Sequence, residues 1–297
     1  MSSDALRAAY RDFQQRGGVI DLSSRLKLAL TGADRVRYLN GQVTANVLTL
    51  KPGDTRPACV TTPKGRLCAE VVISATADAL FIDADASLRE TLPARLERYI
   101  IADDATLTEL PAETRLLHFL GAIDELPCQR ANRFGRDGWD YWTDAATLET
   151  RWPAISAERA VVDEALLETL RIEAGIPRWG RDIGEDTLPP EAGLDRTHID
   201  YHKGCYVGQE VISRLRSVGH VNRELTGFTA DAPIPCGPVS AAGADQPCGA
   251  ITSTAWSFAL ERPIALGYLR RAAPRSDLFT AGTDPIRITA CDLPFTK

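Results

Sequence analysis

The stretch His202-Lys203-Gly204-Cys205-Tyr206-Val207-Gly208-Gln209-Glu210 decides how this chain is read. It places a single cysteine between Gly204 and Tyr206, with His202 and Lys203 just before it and Arg214 and Arg216 downstream. A thiol reacts as the thiolate, and neighbouring cations or a helix N-terminus lower its pKa. Gly208-Gln209-Glu210 is the expected opening of a helix, whose free N–H groups point back toward the preceding loop. Gly204 and Gly208 allow a positive φ or a close approach of backbone to a ligand. Gln209 offers a donor and an acceptor and Glu210 a carboxylate, a pair suited to the edge of a planar heterocycle or to fixing Arg214. On these residues alone two readings stay open: a working thiol, or a packed thiol in a turn shaped by glycine.

Upstream, Asp163 to Ala174 has the apolar spacing of an amphipathic helix through Leu166, Leu167, Leu170 and Ile172, and Gly175 with Pro177 stops it. From Arg178 to Tyr201 glycines and prolines predict a long functional loop, and Asp182, Glu185 and Asp186 read as a solvated acidic edge. Nearer the N-terminus, the pattern predicts a helix over 4–16 ended by Gly17-Gly18, strands within 19–30, and a helix over 35–41 capped by Asp34. Cys59–Thr62 and Leu67–Ser74 read as a hairpin around Pro63-Lys64-Gly65. A strand over 79–84, a helix over 87–99 and strands over 106–110 and 115–120 follow. Residues 121–160 give only a hairpin signal, between Phe134 and Trp142. Beyond Asn222 the chain turns to short β runs broken by Gly and Pro, the texture of a small barrel or sandwich. The expected class is α+β, with residues 1–225 as one region of two interleaved subdomains and 226–297 as a C-terminal β-barrel domain.

The 297 residues carry a net charge of −6, which gives no general attraction to nucleic acid or acidic lipid. No basic stripe interleaved with aromatics occurs, so direct nucleic-acid binding is not expected. No run approaches the ~18 apolar residues of a membrane span. The polar stretch Met1 to Arg16 lacks the apolar core of a secretory signal, so a cytoplasmic protein is expected. Seven cysteines without a C-x-x-C pair argue against a disulfide framework. His198, His202 and Cys205 match no specific ligand spacing, and no metal site is expected.

The motif Lys203–Glu210 resembles the signature of YgfZ-type folate-binding proteins, described as tRNA-modifying or iron–sulfur cluster assembly factors. These are relatives of the glycine-cleavage T-protein, a tetrahydrofolate-dependent aminomethyltransferase. Two more segments resemble that superfamily in the same order: Tyr38–Val47, and Arg171-Ile172-Glu173-Ala174-Gly175-Ile176-Pro177 followed by Trp179-Gly180-Arg181-Asp182. The resemblance implies an aminomethyltransferase-like ring of three domains around a central folate hole, with a ferredoxin-like unit and a C-terminal barrel. It places Glu173 where a carboxylate holds the pterin ring. It implies catalytic roles for Cys205 and Lys203, and cofactor contacts from Glu173, Tyr206, Gln209, Glu210 and Arg214. The implied cofactor is tetrahydrofolate or a folate derivative. The implied partners are iron–sulfur enzymes or assembly proteins, through which tRNA modification is supported.

Two departures matter. The transferases carry an acid just after the hairpin glycines. Here Gly65-Arg66-Leu67-Cys68-Ala69 has none, and Glu70 is displaced. Arg25 and Leu167 occupy the places where some family members contact folate with Trp. The expected function is therefore a folate-binding accessory protein for iron–sulfur cluster assembly or repair. The alternatives are a tetrahydrofolate-dependent aminomethyltransferase or amine demethylase, and a non-catalytic scaffold. If the protein is an enzyme, it is the one-carbon transferase.

Overall fold

The computed structural model describes residues 3–121 and 126–295. Met1 and Ser2 of the N-terminal stretch, part of the ambiguous 121–160 region, and the last two residues of the expected C-terminal domain lie outside them. Helix α1 (Ser3–Arg16) buries Tyr10 and Phe13 and is stopped by Gly17, which takes φ +68°. Strands β1 (Gly18–Asp21) and β2 (Leu26–Thr31) follow, then helix α2 (Arg35–Gln42). Asp34 precedes α2 without capping it, because its carboxylate instead accepts the Asp104 N–H at 2.9 Å. Strands β3 (Thr55–Thr61) and β4 (Leu67–Ala75) form the expected hairpin, and β5 (Leu80–Ala84) lies beside β4.

The helix expected over 87–99 is divided into a single 3-10 turn at Ala86–Leu88 and α3 (Thr91–Glu97). Pro93 lacks an N–H and fits only the first turn of a helix, so the helix restarts just before it. Strands β6 (Thr106–Glu109), β7 (Thr114–Leu120), β8 (Gln129–Ala131) and β9 (Gly138–Asp144) follow. The hairpin expected over 134–142 is displaced: β9 pairs with β7 and β8, and 134–137 belong to the connecting loop. Helix α4 (Ala145–Glu158) was not legible, since Pro153 sits inside it, yet Asp144 caps it through the Thr147 N–H at 2.9 Å. After β10 (Ala160–Val161), α5 (Glu164–Glu173) starts where expected, with the Asp163 carboxylate accepting the Leu166 N–H. Its Leu166 and Leu170 are buried, each stabilising the fold by about 2 kcal/mol. The last helix is α6 (Gln209–Ser217).

Two five-stranded sheets form, in the orders β10-β1-β7-β9-β8 and β3-β4-β5-β2-β6. Pairing within them is antiparallel except between β1 and β10. Strands β11 (Arg223–Thr229), β12 (Gly237–Ala241), β13 (Gly249–Ser257), β14 (Arg262–Arg270), β15 (Leu278–Thr280) and β16 (Arg287–Cys291) close into a barrel in the order β11-β14-β13-β12-β15-β16. The two sheets and the barrel each own a hydrophobic core. Among the described residues no helix is long and apolar enough to cross a membrane.

Where α5 meets the barrel, Ile172 packs against Ile264 and Leu266, and a buried ion pair lies beside this apolar contact. Asp182, expected on a solvated edge, is buried instead. Its carboxylate accepts Arg171 Nη1 at 2.8 Å and the Ser253 hydroxyl of β13 at 2.7 Å, which ties α5 to the barrel.

Candidate functional site

A cavity of about 1570 Å³ opens between the two sheets, α1, α5 and the barrel. Tyr10, Phe134 and Trp179 bring rings to its wall, and Glu70, Arg25, Arg133 and His198 bring polar groups. Arg25 and Leu167, the residues standing at the expected Trp places, both line it.

Glu70, displaced from the hairpin glycines in the sequence, is the carboxylate that β4 brings to the cavity wall. It follows Ala69 on β4, and the strand turns its side chain, 24% exposed, to the cavity. His198 Nε2 lies 3.3 Å from Oε1, and Arg25 Nη2 lies 3.8 Å from Oε2. Burial alone would raise the pKa of this carboxyl. The His198 hydrogen bond and the charges of Arg25 and Arg133 outweigh it and bring the value down to about 2. Behind Glu70, the Arg133 guanidinium bridges two fully buried aspartates: Nη1 and Nη2 reach Asp83 at 2.9 and 2.7 Å, and Nη2 reaches Asp140 at 2.6 Å. Asp83 lies on β5 and Asp140 on β9, so this one side chain joins the two sheets. Asp140 also meets His118 Nδ1 at 2.8 Å and titrates at about 2, because Arg133 and His118 together overcome the cost of burial.

The motif loop stands apart from this wall. None of Lys203, Cys205, Tyr206, Gln209, Glu210 and Arg214 lines the cavity. Lys203 is buried, and its ammonium donates to the carbonyls of Asn40, Val43 and Ala45 at 2.6, 2.7 and 2.7 Å. All three N–H donors are thereby used, and burial lowers the Lys203 pKa to about 8. The Val207 N–H donates to the Gly41 carbonyl at 3.2 Å, and the Val207 carbonyl accepts the Thr61 hydroxyl at 2.5 Å. Gly208 takes φ +89°, and a Cβ there would sit 2.5 Å from the Thr62 carbonyl oxygen, so only glycine lets the loop lie against the hairpin.

The 38–47 segment and the cysteine motif are therefore one structure: the first supplies the carbonyls, the second the ammonium that caps them. Tyr206 is buried under the Lys203 ammonium, and burial raises its phenol pKa. Cys205 itself is exposed. Gln209 and Glu210 open α6 as expected, and Glu210 spends its carboxylate on Arg214 at 3.1 Å, both side chains in solvent.

Glu173 lies behind the cavity wall, fully buried at the junction of α1, α5 and the barrel. Its Oε1 accepts the Ser257 hydroxyl at 2.7 Å and the Ala259 N–H at 3.4 Å, and its Oε2 accepts the Tyr10 hydroxyl at 3.3 Å. Its links to the cavity are Tyr10 and Ala259, which both line it. The sequence pattern gives the residue, and the packing of the barrel against α5 determines that its oxygens are taken. Among the described residues no group of three or more His, Cys, Asp or Glu side chains is placed to hold a metal ion.

Residues 223–297 match the model of the glycine cleavage T-protein C-terminal barrel domain. An aminomethyltransferase of Streptomyces avermitilis is 26% identical over 96% of this chain and 87% of its own length. An aminomethyltransferase of Moorella thermoacetica reaches 37% identity, over 46% of this chain and 38% of its own. In overall fold the chain matches the glycine cleavage system aminomethyltransferase T of Bartonella henselae, with a TM-score of 0.84 at 20% identity, covering 97% of this chain and 89% of that one. With two five-stranded sheets beside a central cavity and a closed six-stranded barrel, the chain has the aminomethyltransferase fold, and its residues 223–297 belong to the glycine cleavage T-protein C-terminal barrel family.

Proposed function

We propose that this protein binds a reduced folate in its central cavity and serves as an accessory factor in iron–sulfur cluster assembly or repair, supporting tRNA modification through the iron–sulfur enzymes that thiolate tRNA. The observation that carries this reading is the placement of Cys205: exposed, on a loop anchored by backbone carbonyls, and outside the cavity wall. A thiol so placed meets a partner in solvent and not a ligand in the cavity. One thiolate cannot hold a cluster alone, so a partner's ligands complete any site it joins.

The cavity has room for a folate, being larger than the roughly 300–1,000 Å³ of common ligand sites, and like them it combines apolar walls with a few placed polar groups. Phe134 and Leu167 offer apolar faces, Glu70 an acceptor and Arg25 a donor. A bound folate would supply a one-carbon carrier, while the residues of the wall hold and orient it.

The test is complementation. In cells lacking the endogenous factor, the Cys205→Ala variant should fold and bind tetrahydrofolate in calorimetry as the wild type does, yet leave an iron–sulfur enzyme inactive. Full rescue by the alanine variant would remove the role given to Cys205.

A second reading, a tetrahydrofolate-dependent aminomethyltransferase, gains from the position of Glu70 in the cavity. That carboxyl, held down to about 2, is ionised at neutral pH, so in such a reaction it would accept a proton or steady a cation and not donate a proton. Turnover of an aminomethyl donor by the purified protein, abolished in Glu70→Gln, would establish it.

A further inference from the structure

The neighbour that fixes Glu70 comes from the loop before the cysteine motif. His198 lines the cavity, and its side chain is 13% exposed. Both ring nitrogens are engaged: Nε2 lies 3.3 Å from Glu70 Oε1, and Nδ1 lies 2.7 Å from the Thr197 hydroxyl oxygen. The backbone is held as well. Its N–H donates to the Leu194 carbonyl at 2.8 Å, and its carbonyl accepts the Thr44 hydroxyl at 2.6 Å.

A neutral imidazole satisfies both ring contacts in one way. Nε2–H donates to the carboxylate, and Nδ1 accepts the Thr197 hydroxyl. The reverse tautomer would set a lone pair against the carboxylate. This arrangement commits Oε1. Oε2, at 3.8 Å from Arg25, is beyond hydrogen-bond length and keeps its lone pairs.

We propose that His198 is a positioning residue which, steadied by Thr197, holds Glu70 so that Oε2 accepts a hydrogen bond from the N–H groups of a heterocycle bound in the cavity. The proposal rests on the folate reading of that cavity. Arg25, Arg133 and His198 face Glu70 with positive or donor character, and the buried Cys59 thiol adjoins it from β3. Asp85 lines the same cavity and spends Oδ1 on the Ser87 N–H and hydroxyl. Of the groups beside Glu70, only His198 donates a hydrogen bond to it within 3.5 Å among the described residues.

The experiment compares wild type, His198→Ala and His198→Gln, the last keeping an N–H donor on a side chain of similar reach. Carbon-13 carboxyl NMR follows the titration of Glu70 in the ligand-free protein, and calorimetry measures tetrahydrofolate affinity from pH 5 to 8. In the wild type Glu70 should titrate well below the ordinary 4.5. In His198→Ala the titration should rise toward 4.5, and affinity should fall about tenfold, the size of one lost hydrogen bond to a charged group. His198→Gln should recover most of both.

An unchanged Glu70 titration in His198→Ala, or a glutamine variant no better than alanine, would overturn the proposal. A wild type that binds no tetrahydrofolate would overturn the folate reading instead, and the carboxyl titration would still decide whether His198 positions Glu70.

Discussion

The cavity wall and the Cys205 loop are built on opposite plans. At the wall, charged side chains from distant segments neutralise one another: Arg25, Glu70, Asp83, Arg133, Asp140 and His198 form one connected network. At the loop, a single buried ammonium caps the carbonyls of one neighbouring segment, and the Cys205 thiol is left in solvent. The wall spends its charges on holding two sheets and shaping a ligand site. The loop spends its own on rigidity, which presents Cys205 without touching it. The difference teaches that the cavity wall and the Cys205 loop are held by separate interactions, so the two roles proposed for them should be separable, and three perturbations test that separation.

The largest effect is expected at the wall. Arg133→Ala leaves Asp83 and Asp140 fully buried without their shared partner, and breaking such a pair costs about 4 kcal/mol. Urea unfolding should show the loss, and a loss under about 1 kcal/mol would mean that the two sheets do not depend on this bridge.

Lys203→Met should come next. It strands the carbonyls of Asn40, Val43 and Ala45, at about 3 kcal/mol in sum once water partly reaches them. It should also loosen the loop and speed alkylation of Cys205, while the affinity of the remaining folded protein for tetrahydrofolate stays near wild type. Loss of folate affinity in step with the loop would erase the separation.

The third perturbation is acidification, whose effect at Asp140 alone is the smallest of the three. Asp140 and Glu70 have folded-state values of about 2, below their ordinary 3.8 and 4.5. A depressed carboxyl stabilises the fold above its ordinary value, and that stability is lost as pH falls toward the folded value. Stability should therefore decline between about pH 5 and 2, by about 2 kcal/mol for Asp140. Arg133→Ala should flatten that decline, whereas Cys205→Ala should leave it unchanged. Thermal unfolding across this range, in both variants, checks the assignment.

Local devices were legible. The Asp163 cap and the Gly175 stop of α5 act within a few residues of the helix they bound, and so does Gly208 at the opening of α6. Helix α4 was hidden because Pro153 breaks the pattern that reveals helices, while its Asp144 cap lies in an aromatic strand that draws the eye to β structure. Asp182 reads as surface because a charge next to glycines resembles a solvated loop until Arg171 and the barrel cover it.

The sequence by itself determined the motif at Lys203–Glu210, the α+β order of elements ending in a barrel, and the presence of an unpaired cysteine at the motif's centre. Caps, turns and periodicity are short-range properties, and they survive in a linear reading. Only the tertiary structure decided that Lys203 serves the backbone, that Glu173 is sealed by Tyr10 and Ser257, and that Glu70 meets His198 across 128 positions. Those partners are chosen by sheet register and by the packing of barrel on helix. Both place side chains within hydrogen-bond reach regardless of how far apart they stand along the chain.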